Sequence, residues 1–177
     1  FVQYLGGRFD FKDSVNKDAY NIEKFIDTTI YYQDGIEIIS DKMNNSLRIK
    51  QNHNGAKVFF INGKIQNVNI YYEGYSANNE INKIEPIDYP INEKGLTGCL
   101  SFINMEVKDL KINASNSSCE DTVNFINTFG NLKNIEIENS MSDAMDVDFS
   151  SLDIEQINIK SAGNDCVDFS YGSYKIE

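Results

Sequence analysis

Hydrophobic and polar positions alternate along this chain in a pattern that returns at a regular interval. Its clearest form is a six-residue segment with the pattern apolar-x-(Asn/Asp/Gln)-apolar-x-Ile, where x is any residue. The segment occurs four times, at 65–70, 107–112, 132–137 and 154–159, and the last two copies begin 22 residues apart. A repeat of roughly 20–50 residues indicates a solenoid, in which each unit buries its apolar face against its neighbours.

A second alternating stretch precedes the later copies and keeps the same spacing. Its apolar residues stand two apart, as in Val123 and Phe125, Met145 and Val147, and Val167 and Phe169. Alternation with period two predicts strands, because successive side chains of a strand point to opposite faces. Each unit therefore predicts two strands, and the chain predicts an all-β fold. We expect a right-handed parallel β-helix with coils of about 22 residues.

A leucine-rich repeat is the competing solenoid, since Leu-x-x-Ile-x-Ile also opens that repeat. Eight positions after the opening apolar residue, where that repeat requires Asn or Cys, this chain has Ser140 and Ala162. The segment 143–149 alternates as a strand does and is a poor helix former. These features favour the β-helix.

The chain divides into a less regular beginning and a repetitive remainder. We expect residues 1–45 to form an N-terminal cap or irregular early coils, with a candidate short helix over 18–27, and residues 46–177 to form the β-helix. Residues 71–96 are polar and contain both prolines, which predicts an excursion loop from the solenoid. Because the chain does not begin with Met and stops within a coil, we expect it to be truncated at its C-terminus and to belong to a longer protein.

Charge narrows the classes of partner. The net charge is −11 and the pI is about 4.5. Nucleic-acid binding requires clustered Lys and Arg, so nucleic acid is not an expected partner. No apolar run approaches the roughly 18 residues of a membrane span. An acidic surface is compatible with divalent cations, with neutral glycans, or with no specific partner.

The three cysteines do not form a metal-binding motif. Cys99, Cys119 and Cys166 lack CxxC spacing, and His53 is the one histidine, which argues against zinc. An odd number cannot pair completely within the chain. Cys166 shares a repeat column with Thr122 and Ala144, which predicts a small, packed position. The redox compartment stays open.

Aspartates form columns when the repeats are placed in register. Asp121, Asp143 and Asp165 enter the first strand of each unit, whereas Asp146, Asp148 and Asp168 occupy outward positions within it. Neighbouring strands lie about 4.8 Å apart, and two carboxylates at that distance repel by roughly 1 kcal/mol in water. Hydrogen bonds in a turn, bound Ca²⁺ or a raised pKa would relieve this repulsion. The entering aspartates recur in every unit, which favours a turn role. The outward three are candidate ligand-binding and calcium-binding residues.

Ser142-Asp-Ala-Met-Asp-Val followed by Gly163-Asn-Asp-Cys-Val-Asp resembles the motifs of polygalacturonase-type glycoside hydrolases, which have the pectin-lyase-like superfold. The resemblance implies that Asp143 and Asp165 correspond to the carboxylates that activate water. It places Asn164, a candidate ligand-binding residue, where that family has its proton donor. An amide is not a general acid, so the inverting mechanism lacks its proton donor.

A broader part of the chain is similar to an uncharacterised β-helix region of bacterial proteins. The residues that carry the similarity are Leu96-Thr-Gly-Cys-Leu-Ser-Phe, Cys119-Glu-Asp-Thr-Val-Asn, Ser142-Asp-Ala-Met-Asp-Val-Asp-Phe-Ser and Gly163-Asn-Asp-Cys-Val-Asp-Phe-Ser. This similarity implies a domain of a larger, secreted or cell-surface protein and no particular activity.

Three functions remain open at this point. The first is binding of a carbohydrate polymer along the outward aspartates, stabilised by Ca²⁺, beside a loop with Tyr71, Tyr72 and Tyr75. Those tyrosines have a second interpretation, in which the loop packs on the solenoid. The other functions are a glycan hydrolase or lyase that uses Asp143 and Asp165, and a structural spacer or adhesin.

Overall fold

The computed structural model describes residues 20–75 and 96–177, and within these ranges every regular element is a strand. In chain order they are β1 (Asn21–Phe25), β2 (Thr28–Tyr32), β3 (Ile36–Asp41), β4 (Ser46–Gln51), β5 (Val58–Ile61), β6 (Lys64–Gln66), β7 (Asn69–Glu73), β8 (Gly98–Ile103), β9 (Glu106–Ser117), β10 (Asp121–Ile126), β11 (Phe129–Ser140), β12 (Asp143–Asp148), β13 (Ser151–Ile154), β14 (Ile157–Ala162), β15 (Val167–Ser170) and β16 (Ser173–Ile176).

The strands form two long sheets that run along the stack of coils. The first sheet has the order β1-β2-β5-β8-β10-β12-β15, and the second has the order β16-β13-β11-β9-β7-β4-β3. Strands β9 and β11 are long enough to turn a corner. The beginning of β9 pairs with β6 and its end with β7, and the beginning of β11 pairs with β13 and its end with β14.

From β8 onward, pairing between the coils of the first sheet is parallel and keeps a nearly constant interval. Leu100 pairs with Val123, Val123 with Met145, and Met145 with Val167, so equivalent residues are 22 or 23 positions apart. The result is a β-solenoid of about five turns. The all-β fold of stacked parallel coils that the repeat predicted is confirmed.

The six-residue pattern marks buried residues, but its copies do not all stack on one another. Its apolar residues are buried in the first three copies. The first copy pairs in register with the second, and the third with the fourth. Between the second and third, Ile112 pairs with Ile135 and not with Ile137. The ladder is irregular around Gly130. This residue has a φ of 126°, which glycine adopts readily. Any other residue there would place its Cβ atom 1.8 Å from the carbonyl oxygen of Val107.

Antiparallel strands close the N-terminal end of the stack. β1 pairs with β2 and β2 with β5 in the first sheet, and β3 pairs with β4 in the second. This arrangement agrees with the expected capping segment. The short helix expected over 18–27 is wrong for its described part, because Asn21–Phe25 is a strand bonded along its length to β2. Residues 18 and 19 lie outside the described residues.

The first three residues of the expected excursion loop belong to a strand. β7 continues through Tyr71, Tyr72 and Glu73, and Tyr72 packs in the core. Residues 76–95, which contain most of the expected loop, lie outside the described part of the chain. The domain boundary at residue 45 stays a prediction.

Two hydrophobic clusters lie on opposite sides of the first sheet. The inner cluster fills the solenoid and contains a stack of Phe60, Phe102 and Phe125, whose ring centroids are 4.8 and 4.9 Å apart. The outer cluster is small and is formed by Phe59, Ile61, Leu96, Ile103 and Ile126, with Tyr20 and Tyr31 packed against it. The outer face is therefore covered near the N-terminal end of the stack.

A disulfide joins Cys99 to Cys119 inside the solenoid. The Nε2 atom of buried Gln51 lies 3.4 Å from the sulfur of Cys99, and Gln51 Oε1 accepts a hydrogen bond from Ser118. Cys166 was expected to be packed like Thr122 and Ala144, but it is exposed and unpaired. The expectation is wrong because Cys166 stands on the last coil of the stack, where no following strand of the described chain covers the column.

Tyr72 carries a buried hydroxyl that has no hydrogen-bond partner among the described residues, and the side chain is 2% exposed. An unsatisfied buried polar group opposes folding, so Tyr72→Phe is expected to raise the free energy of unfolding by about 1 kcal/mol. Chemical denaturation measures this change. The contrasting variant is Tyr174→Phe, because the Tyr174 hydroxyl donates toward the carbonyl oxygens of Val147 and Ser170. A loss of stability in both variants would contradict the prediction.

Candidate binding face

Three aspartates stand together on the outer side of the first sheet, and we call them the acidic strip: Asp146, Asp148 and Asp168. Asp146 and Asp148 belong to β12, and Asp168 belongs to β15. Asp146 and Asp168 are direct partners in the parallel ladder, so their side chains stand one above the other along the stack. Their even positions alternate with Met145 and Val147, which point into the core. The outward positions that alternation predicted are confirmed.

Two carboxyl groups of the strip, those of Asp146 and Asp148, lie in an unfavourable electrostatic environment. Burial raises the pKa of Asp146 to about 8, and repulsion from Asp148, Asp121 and Asp168 adds to the effect. Burial also raises the pKa of Asp148, with a further contribution from Asp168. Within residues 20–75 and 96–177, none of the three has a salt bridge. Perturbed carboxyl groups without a cationic partner are typical of binding and catalytic sites.

The negative charge of Asp121, which lies deeper in the same face, is compensated by a cationic side chain, whereas the charges of the strip are not. Burial raises the pKa of Asp121 to about 6, although a hydrogen bond from the Thr97 side chain opposes the shift. The buried ammonium of Lys57 interacts electrostatically with Asp121 and Glu120 and donates a 2.9 Å hydrogen bond to the Thr97 carbonyl. Burial lowers the pKa of Lys57 to about 8. Asp121 is thus part of a structural network.

Asn124 connects that network to the strip. Its Nδ2 atom donates to Asp146 Oδ2 at 2.7 Å and to Asp121 Oδ2 at 3.3 Å. The side chain is 1% exposed, and its Oδ1 atom has no hydrogen-bond partner in the described chain. An acceptor is therefore left without a donor directly beside Asp146.

The aspartates that resemble catalytic residues take part in a turn between coils. Asp143 Oδ1 accepts hydrogen bonds from the backbone N–H of Asp165 at 2.9 Å and from Asn164 Nδ2 at 2.8 Å. Asn164 also donates toward Asp165 Oδ2 at 3.4 Å. These bonds fit the turn role that the recurring aspartate suggested. Catalysis by Asp143 and Asp165 stays a prediction, which release of reducing ends that is abolished by Asp165→Asn would test.

An aromatic pair that the sequence interpretation missed lies next to the strip. Phe149 directly follows Asp148, and Tyr171 follows Ser170, the ladder partner of Asp148. The two rings are parallel, with centroids 5.5 Å apart, and Tyr171 is 78% exposed. Both residues have positive φ angles. The equivalent turn positions of the three preceding coils are occupied by Asn62, Asn104 and Asn127, which also have positive φ angles. The signal was the 22-residue spacing of Phe149 and Tyr171, which equals the repeat.

The tyrosines that were expected beside the acids lie elsewhere. Tyr71 and Tyr72 belong to β7 in the second sheet, whereas the strip stands on the first. The guanidinium of Arg48 lies over the ring of Tyr71, with its Cζ atom 5.4 Å from the ring centroid. Both residues line a surface groove of about 340 Å³. Tyr75 donates its backbone N–H to Gln51. The placement of Tyr71 and Tyr72 next to the strip was wrong because strand pairing carries β7 to the other sheet.

The described residues contain no set of three His, Cys, Asp or Glu side chains arranged to hold a metal ion. Calcium binding by Asp146, Asp148 and Asp168 therefore stays a prediction. Among the same residues, no helix is long and apolar enough to cross a membrane.

The strip predicts an unusual dependence of stability on pH. Because burial raises the pKa of Asp146 to about 8, folding favours its protonated form. That contribution is complete below the ordinary pKa of 3.8 and is lost as the pH rises through 8. We expect Asp146→Asn to be more stable than the natural sequence above pH 8, by about 2 kcal/mol after allowance for partial exposure, and similar to it near pH 4.

Denaturation of both proteins across this pH range measures the difference. Asp153→Asn is the matched control, since it removes the same charge from an exposed position in the second sheet. A difference between Asp146→Asn and the natural sequence that does not grow with pH would contradict the raised pKa.

Comparison of the chain with protein-family models, with curated proteins and with solved structures finds no match in any of the three. The resemblance to polygalacturonase-type hydrolases therefore rests on the motifs around Asp143 and Asp165 alone. The structure shows a parallel β-solenoid with the acidic strip on the outer side of its first sheet.

Proposed function

We propose that this β-solenoid binds a carbohydrate polymer along the outer face of its first sheet, as a domain of a secreted or cell-surface protein. The observation that carries the proposal is the acidic strip next to the stacked rings of Phe149 and Tyr171. Carboxyl groups accept hydrogen bonds from sugar hydroxyls, and an exposed ring packs against the apolar face of a pyranose.

The geometry of the stack supports an extended ligand. Asp146 and Asp168 occupy equivalent positions on neighbouring coils, which lie about 4.8 Å apart. An extended chain of β-1,4-linked pyranoses advances by a comparable distance with each residue. A polymer aligned with the solenoid axis would therefore present successive sugars to successive coils.

The buried disulfide supports an extracytoplasmic location. Cys99 and Cys119 are joined within the core. Disulfides form and persist mainly in oxidising compartments, such as the cell surface and the extracellular medium.

Binding is tested by titrating soluble oligosaccharides of neutral, acidic and amino sugars into the protein, with calorimetric detection. We expect at least one class to bind, and Tyr171→Ala to weaken that binding about tenfold, or about 1.4 kcal/mol, because the exposed ring is lost. Phe129→Ala is the matched control, because Phe129 is also an exposed aromatic residue but belongs to the second sheet. Absence of binding to every class would overturn the proposal and favour a structural spacer.

Calcium is tested on the same protein by the melting temperature with and without millimolar Ca²⁺. A rise that Asp146→Ala abolishes is the result expected of a calcium site at the strip. An unchanged melting temperature would remove calcium from the proposal.

A further inference from the structure

We infer that the acidic strip recognises the protonated amine of an amino sugar, so that the polymer bound by this face is cationic. The inference rests on the proposed carbohydrate binding and names its substrate class. It concerns Asp146, Asp148 and Asp168 together with Asn124 and the aromatic pair.

The charge of the acidic strip discriminates among acidic, neutral and amino sugars as ligands. The strip places three carboxyl groups on two adjacent strands, and none of them has a salt bridge within the described ranges. A carboxylated sugar would add a further negative charge to a protein of net charge −11. A neutral sugar would leave the repulsion in place. An ammonium group would neutralise it, at a partly buried site where such an interaction is stronger than in water.

Hydrogen-bonding capacity leads to the same ligand. An ammonium group has three N–H donors and no acceptor, whereas a sugar hydroxyl is both donor and acceptor. Once ionised in the complex, Asp146 and Asp168 offer acceptors alone. Asn124, which is 1% exposed and donates its amide nitrogen to Asp146, has an Oδ1 atom that lacks a donor among the described residues. The site therefore has an excess of acceptors that a protonated amine satisfies.

The aromatic pair supplies the remaining surface for a pyranose. Tyr171 stacks on Phe149 and is largely exposed, and among the described residues no other ring stacks on it, so its second face can meet a ligand. The ring packs against the C–H face of the sugar and attracts a nearby ammonium through a cation–π interaction. A simple polyamine would use the charge of the strip but would have no pyranose face for this ring.

Binding should also release a proton. Burial and neighbouring carboxylates raise the pKa of Asp146 to about 8, so this carboxyl is protonated in the free protein at neutral pH. An ammonium group favours the ionised form, and the proton passes to the buffer. The calorimetric enthalpy should then vary with the ionisation enthalpy of the buffer.

The test compares three β-1,4-linked hexamers by calorimetry: glucosamine, N-acetylglucosamine and glucose. At low salt and at a pH where the amine is protonated, we expect the glucosamine hexamer to bind at least tenfold more tightly than the other two. Added salt should weaken its binding. Asp168→Asn should weaken it about tenfold, whereas Asp153→Asn, with the same change of net charge in the second sheet, should not.

The outcomes distinguish this inference from the proposed function. Equal affinity for the acetylated or neutral hexamer would overturn the inference and leave carbohydrate binding intact. Absence of binding to all three and to an acidic hexamer would overturn both. Spermine that binds as tightly as the glucosamine hexamer, combined with no effect of Tyr171→Ala, would show non-specific attraction of cations and would also overturn the inference.

Discussion

Replacing Phe102 with alanine is expected to lower the free energy of unfolding by about 4 kcal/mol. Phe102 is fully buried and stacks between Phe60 and Phe125, which belong to the coils on either side. Its removal leaves a cavity where three coils meet and separates the rings above and below. In a solenoid each coil is stabilised by its neighbours, so the loss acts on both interfaces at once. Chemical denaturation followed by circular dichroism measures the change.

Phe129→Ala is the matched control for this prediction. The chemical change is the same, but Phe129 is 53% exposed on the second sheet. We expect it to change stability by less than about 1 kcal/mol. Similar losses in the two variants would show that the phenylalanine stack contributes no more than an exposed ring and would contradict the assigned core.

Removing the disulfide is expected to lower the free energy of unfolding by about 3 kcal/mol. Cys99 and Cys119 are 20 residues apart in the sequence, and the bond limits the conformations of the unfolded chain over that loop. The double variant Cys99→Ala, Cys119→Ala isolates the effect. The same denaturation experiment under non-reducing conditions measures it.

The exposed Cys166 supplies the control for the disulfide. Cys166→Ala changes a cysteine that is unpaired, and we expect it to leave stability within about 0.5 kcal/mol of the natural sequence. Addition of a reductant should reduce the stability of the natural sequence toward that of the double variant. The reductant is added while the protein is unfolded, and the protein is then refolded in its presence. An unchanged free energy of unfolding after this treatment would contradict the contribution of the bond.

Much of the candidate face followed from the sequence. The alternation around Met145 and Val147 predicted that Asp146 and Asp148 point outward, and the 22-residue interval placed Asp168 above Asp146. Both are consequences of strand geometry, in which side chains alternate and equivalent residues of stacked coils coincide. The turn role of Asp143 also agreed with its recurrence in every unit.

Other features depended on contacts that no local pattern reveals. The second and third copies of the six-residue pattern begin 25 residues apart, whereas β9 and β11 pair at an interval of 22 or 23 residues, so these two copies are offset by two residues in the ladder. Tyr72 was expected in the excursion loop, and it lies in the core because β7 continues through it. The pairing of Cys99 with Cys119 requires two positions on different coils to meet.

The sequence by itself determined the class of fold and the outward orientation of Asp146, Asp148 and Asp168. These properties follow from periodicity, which is a local property of the chain. The tertiary structure alone decided that Asp146 is partly buried beside Asn124, that Lys57 compensates Asp121 and not the strip, and that Phe149 stacks on Tyr171. Burial and electrostatic coupling depend on residues far apart in sequence, and the chemistry of this face follows from them.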